Sequence, residues 1–260
     1  MNFHDNFGKI NPTISSYKNI NRILSLNLLT RLMMISVLIP CYNEKNTIEE
    51  IVNRINNLEN LSLEIIIIDD NSNDGTKKIL QDKIKNKVSQ IIFNDSNHGK
   101  GYCIKKGIEN AKGDVILIQD ADLEYDPKEY HKLIKPIIDD QADVVFGSRF
   151  IGGDQRRILF FWHTIANKLL TLLSNMFTNL NLTDMETCYK VFKKDLMQKI
   201  NLKEKGFGFD PEITAKLSKQ KPRIYEVGIS YFGRTYDEGK KINLKDAFIV
   251  LKCIIMYNLF

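Results

Sequence analysis

Val115-Ile116-Leu117-Ile118-Gln119-Asp120-Ala121-Asp122-Leu123-Glu124 is the stretch on which the fold turns. Its first five residues, β-branched or apolar for the most part, read as a short buried strand. Two carboxylates one residue apart follow where that strand ends. On an extended backbone, side chains at i and i+2 point the same way. Asp120, Asp122 and Glu124 would then present oxygens to one point, a set suited to Mg²⁺ or Mn²⁺ alongside substrate phosphates. An acidic turn facing solvent is the other reading of the triplet.

Outward from this stretch, apolar runs and helical patterns alternate. Strands are expected at Ile35–Ile39, Glu64–Ile68, Gln90–Phe93, Val115–Gln119 and Val144–Phe146. Helices are expected after each of the first four, ending near Leu58, Ile84, Ala111 and Ile138. Thr47 and Glu50 have capping-box spacing, and Pro127 suits a first helical turn. Strand–helix alternation with short links predicts an α/β three-layer sandwich with a mostly parallel central sheet. Ligands of such sheets bind beyond the carboxyl ends of the strands. Those ends carry Tyr42 and Glu44, Asp69 and Asp70, Asn97 and Lys100, Asp120 and Asp122, and Arg149. The glycine fingerprints of dinucleotide and P-loop folds are absent, so a nucleotide would be held by carboxylates and a metal.

The chain has 260 residues and a formal net charge of +5. That mild excess, with no basic block interleaved with aromatics, argues against a nucleic-acid partner and fits anionic ligands or an anionic membrane surface. Four scattered cysteines form no zinc pattern and read as reduced thiols. Residues 1–33 are rich in Asn, Ser and Lys and read as an N-terminal extension, with a weakly amphipathic piece at Ile23–Leu32. Met33-Met34 offers an alternative start. Residues 34–241 read as the main domain and 242–260 as a C-terminal amphipathic helix.

Several motifs together carry a resemblance. Pro40-Cys41-Tyr42-Asn43-Glu44, Asp69-Asp70-Asn71-Ser72-Asn73-Asp74-Gly75-Thr76, Asn97-His98-Gly99-Lys100-Gly101, Asp120-Ala121-Asp122 and Gly147-Ser148-Arg149 stand in the order and spacing of glycosyltransferase family two, whose fold is the GT-A type. Asp120–Pro127, Gly147–Phe150, Asp184–Phe192 and Gly233–Lys241 resemble its dolichol-phosphate (polyprenyl-phosphate) mannose synthase branch.

The resemblance implies an inverting hexosyltransferase that moves a hexose, mannose from GDP-mannose first of all, to a polyprenyl phosphate. A UDP-glucose-type donor, a glycan hydroxyl acceptor in envelope polysaccharide synthesis, or a non-catalytic nucleotide-sugar-binding protein are the alternatives. It implies a nucleotide pocket of Pro40, Tyr42, Glu44, Ile68, Asp70, Asn97, Lys100, Asp120 and Ala121. Asp120, Asp122 and Glu124 would hold Mg²⁺ or Mn²⁺; the branch commonly has Gln at the place of Glu124. Arg149, Arg234 and Lys240 would hold phosphates. Asp122, Arg149 and Asp184 are the catalytic candidates, with Asp184 either a base, an aligning residue or a cap. An Arg of the branch is replaced at His163-Thr164, where His163 or Arg157 would substitute. No apolar run is long enough to span a bilayer. The apolar segment 158–177, preceded by Arg156-Arg157 and carrying Trp162, predicts peripheral attachment at a cytoplasmic membrane face, with Ala247–Phe260 beside it.

Overall fold

The computed structural model describes residues 33–152, 155–158, 160–240 and 244–259. The expectations for residues 1–32 and the boundary near 241–242 lie outside them. Among the described residues, seven strands form one sheet in the order β3-β2-β1-β4-β6-β5-β7. They are β1 (Met34–Cys41), β2 (Ser62–Asp69), β3 (Gln90–Phe93), β4 (Val115–Ile118), β5 (Val144–Ser148), β6 (Lys190–Lys193) and β7 (Ile224–Gly228). All five expected strands are present. β1, β2, β3 and β4 pair in parallel, as do β5 and β7. β6 is antiparallel to both β4 and β5 and separates them. All four residues of β4 and the inner residues of β1 and β2 are buried, as expected of strands covered on both faces.

The helices are α1 (Ile48–Asn56), α2 (Thr76–Ile79, continued by one wide turn to Ile84), α3 (Lys100–Asn110), α4 (Tyr130–Ile138), α5 (Phe161–Thr178), α6 (Lys194–Met197), α7 (Phe209–Gln220) and α8 (Leu244–Leu259). Asp126 caps the turn at Pro127 by accepting from the Lys128 amide. The expected capping box at Thr47 does not form. Its hydroxyl turns back to Glu44 Oε2 at 2.8 Å, and Glu50 pairs with Arg54 instead.

Helix α5 is turned inside out relative to an ordinary surface helix. Its buried residues are Thr171 and Ser174, whereas Ile165, Leu169, Leu172 and Met176 are exposed. The polar stripe is engaged by the segment that precedes β6. Thr171 Oγ1 accepts from the Met185 amide at 3.2 Å, and Asn175 bonds both the amide and the carbonyl of Leu182. Helix α8 lies against α5 and α7 and exposes Phe248, Ile249 and Leu259.

Candidate active site

Loops at the carboxyl ends of the parallel strands are tied together first. Asn43, in the left-handed region at φ 53°, takes the Asn73 amide on its side chain and donates its own amide to Ser72. The Glu44 amide donates to Thr76 Oγ1. Asp70 accepts from Asn94 Nδ2 at 2.8 Å and from the Gly99 amide at 2.7 Å, fixing the start of α3. Gly99 has φ 98°, and a side-chain carbon there would meet Lys205 O at 2.5 Å, so glycine is required on both counts. The turn aims Lys100 Nζ at Asp120 Oδ1, 2.6 Å away.

The acidic stretch does not run extended. β4 ends at Ile118, and the side-chain oxygen Oε1 of Gln119 accepts from the hydroxyls of Tyr130 and Tyr189. The chain then bends through 121–125. The i, i+2 alignment of Asp120, Asp122 and Glu124 is therefore corrected to a turn, in which the Glu124 amide donates to Asp122 Oδ1 at 3.1 Å. Each carboxylate faces a cation of the chain. Asp120 is held by Lys100. Arg234 reaches Asp122 at 2.7 Å, Glu124 at 3.3 Å and Glu44 at 3.4 Å. Tyr231 donates to the second oxygen of Glu124. Among the described residues no three ligating side chains converge as a ready metal set.

The donor chemistry nevertheless fits a hard divalent cation. Asp122 is pushed up to about 7 by burial first, then by the neighbouring charges of Asp120 and Glu124, with Arg234 opposing. A cation beside it would relieve that charge. Asp120 is half-buried; loss of water works to raise its pKa, but the Lys100 ammonium outweighs this and holds it below the usual carboxylate range.

Arg149 and Asp184 form a second centre. Asp184 has no exposed surface. Its Oδ2 accepts from Arg149 Nε at 2.6 Å and the Arg149 amide at 3.0 Å, and its Oδ1 from Nη2 at 2.7 Å. Burial works against the Arg149 charge, but the Asp184 carboxylate outweighs it and raises the pKa. The guanidinium also lies over the Tyr231 ring. Lys240 sits over Phe160, and its pKa is lowered by burial, with Arg149 and Arg234 nearby adding to the effect and Glu124 opposing it. His163 Nε2 meets Tyr236 Oη at 3.0 Å.

Most candidates thus reach one edge. Pro40, the last residue but one of β1, pairs with Ile68 of β2. Tyr42 is half-buried, Glu44 and Ala121 are buried, and Asn97 is exposed. Ile68 has no exposed surface, and its Cδ1 lies towards Gly107 of α3, in the core. Sequence reasoning missed Tyr231 and Glu226, which sit on or just beyond β7. Glu226 accepts the Thr183 and Asp184 amides and so holds the Asp184 loop. Tyr231 stands three residues before Arg234, which was the only available signal. Two shallow lysine-lined depressions, bordered by Lys105 and Lys199 and by Asp114 and Lys193, lie at the amino ends of the central strands, away from these residues.

Residues 36–200 match the model of glycosyl transferase family 2. The dolichol-phosphate mannosyltransferase of Pyrococcus furiosus is 29% identical over 215 residues, 81% of this chain and 61% of that protein. The undecaprenyl-phosphate 4-deoxy-4-formamido-L-arabinose transferase of Aeromonas hydrophila is 24% identical over 217 residues, 81% of this chain and 64% of that protein. The chain therefore spans less than two thirds of the length of either. Glucosyl-3-phosphoglycerate synthase of Mycobacterium tuberculosis, solved with Mn²⁺, UDP and phosphoglyceric acid, superposes with a TM-score of 0.71 at 17% identity, covering 92% of this chain and 83% of that one. Acidic and basic side chains gathered at the carboxyl edge of a GT-A sheet, together with the family match across most of the chain, make this protein a member of glycosyltransferase family 2.

Proposed function

We propose that the protein transfers a hexose, with inversion and with the help of a divalent metal, from a nucleotide sugar to a polyprenyl phosphate at a membrane surface. GDP-mannose is the donor that the resemblance favours. The observation that carries the reading is the single edge where Asp120, Asp122 and Glu124 stand within reach of Arg234 and Lys100. The names of the two relatives, both acting with a polyprenyl-type phosphate, support the acceptor.

Asp120 and Asp122, with Glu124, would hold the Mg²⁺ or Mn²⁺. Bound there, the ion acts as a Lewis acid on the leaving diphosphate. Pro40, Tyr42, Glu44, Asp70, Asn97 and Ala121 border the space assigned to the nucleoside. Arg234 and Lys240 supply charge-assisted hydrogen bonds to the diphosphate and to the incoming phosphate. Arg149 adds a third such contact while Asp184 fixes its plane. A lipid monophosphate is already an oxyanion at neutral pH, its second pKa lying near about 6, so no base has to strip a proton. With both oxygens of Asp184 engaged by Arg149, alignment is its role in this reading.

No helix among the described residues is long and apolar enough to cross a membrane. The exposed faces of α5 and α8, with Arg156 and Arg157 just before α5 and Lys168 on it, support peripheral attachment at the cytoplasmic face. A second reading exchanges the donor for a uridine nucleotide sugar, as in the Mn²⁺ and UDP complexes of the fold neighbour. A thermal-shift panel of GDP, UDP and their sugars with and without Mn²⁺ identifies the donor. Radiolabelled sugar must then enter an organic-extractable product; label appearing only in water-soluble glycan would refute the lipid acceptor.

A further inference from the structure

The run Asp184–Lys190 crosses the floor of the site. Asp184 opens it and holds Arg149, and four residues on the Cys188 thiol faces Asp120. Every residue of the run is buried except Glu186, which keeps part of its surface open. Yet Glu186 Oε1 is enclosed and has no hydrogen-bond partner, and neither has Thr187 Oγ1 next to it. Buried oxygens in a native structure normally have partners. Thr187 has no exposed surface, but Glu186 opens beside the arginine of the site, and its orphan oxygen marks a place where a ligand supplies the missing bond.

The surroundings restrict that ligand. Lys190 is fully buried and is neutralised by Asp210 and the Thr187 carbonyl, so it offers nothing to an anion. Arg149 and Asp184 likewise neutralise each other. With both pairs closed, no unbalanced charge from them selects an ion of either sign. Burial, then Asp210, pushes the Glu186 carboxyl up to about 8, so at neutral pH it is an uncharged group with one donor and one acceptor. A neutral polyhydroxyl group meets all of these conditions.

We propose that Glu186 recognises a hydroxyl of the transferred hexose and so helps to choose the sugar. This rests on the glycosyl-transfer reading above and adds a specificity-determining residue to it. Glu186 contacts the sugar, not the nucleotide. Removing its hydrogen-bonding group would leave a bound hydroxyl unpaired and weaken the sugar-dependent part of donor binding.

The test is calorimetric titration of the full chain with Mn²⁺ and four probes: GDP, GDP-mannose, UDP and UDP-glucose. Glu186→Leu is expected to bind the preferred nucleoside diphosphate as wild type does and its nucleotide sugar about thirtyfold more weakly. Glu186→Gln, which imitates the neutral acid, is expected to stay within about threefold of wild type. Where Glu186→Leu does not fold, Glu186→Asp, one methylene shorter, reads the same difference. Wild-type affinity for the nucleotide sugar in Glu186→Leu or Glu186→Asp, or equal losses for diphosphate and sugar nucleotide, would overturn the assignment while leaving the transferase reading intact. Failure of the wild type to bind any of the four probes would remove both.

Discussion

Changing Asp184 to Asn separates a residue that takes protons from one that holds a neighbour in place. The side chain has no exposed surface, and its two oxygens accept three hydrogen bonds from Arg149. Asn keeps one acceptor and turns a donor toward Nη2 or Nε. Arg149, itself mostly enclosed, then carries a charge without its counter-ion. Breaking one half of a buried pair costs about 3–5 kcal/mol. For a chain of this size each kcal/mol moves the midpoint by about 2–4 °C, so thermal unfolding should fall by roughly 10 °C. Turnover should fall with it, because Arg149 loses its orientation. The double change Arg149→Met with Asp184→Leu should regain much of the stability but none of the activity. Circular dichroism melts of the single and double variants make the comparison. An Asp184→Asn protein that melts with the wild type yet has lost only turnover would refute this reasoning and restore Asp184 as the base.

Arg234→Gln should bind Mn²⁺ about tenfold more tightly than wild type in the absence of nucleotide, since Arg234 no longer competes for Asp122; electron paramagnetic resonance of free Mn²⁺ measures it, and unchanged affinity would count against the competition. The same variant should transfer sugar poorly, and wild type treated with excess chelator should stop until Mg²⁺ or Mn²⁺ is returned. Glu186 has a folded pKa of about 8 against an ordinary 4.5, so the folded state holds the extra proton and this group's share of stability declines as pH rises from about 4.5 to about 8. Glu186→Gln should flatten that decline in urea titrations across the window, and an unaltered slope would show that other groups cause it. Trp162 is the only tryptophan and is 75% exposed, so vesicles containing anionic lipid should shift its emission to the blue, and an unshifted spectrum would refute insertion of this end of α5.

The parallel half of the sheet was legible because both of its faces are covered. Ile65–Ile68 and Val115–Ile118 are unbroken apolar runs, and such runs declare themselves. β6 and β7 were not legible. Lys190-Val191-Phe192-Lys193 begins and ends on lysines, and Lys190 is buried only because Asp210, twenty residues on, neutralises it. β7 alternates weakly and has no fully buried residue, with Tyr225 exposed and the others half-buried. The site's composition could be read from the strand ends, but its pairing could not. Arg234 meets Glu44 across 190 residues, and only the folded chain shows that one guanidinium serves three carboxylates. Ile68 misled for a simpler reason, since its place in a motif says nothing about which side of the strand it faces.

The reversed face of α5 limits how the protein can be redesigned. Its oily side is outward because its polar side is fastened to the loop that carries Asp184. An engineer seeking a form that stays monomeric without lipid or detergent has one face at liberty: Ile165, Leu169, Leu172 and Met176 accept charge at no cost to the interior. Conversely, a well-meant exchange of Thr171 or Asn175 for leucine, made to suit the greasy neighbours in the sequence, would unfasten the Asp184 loop from behind.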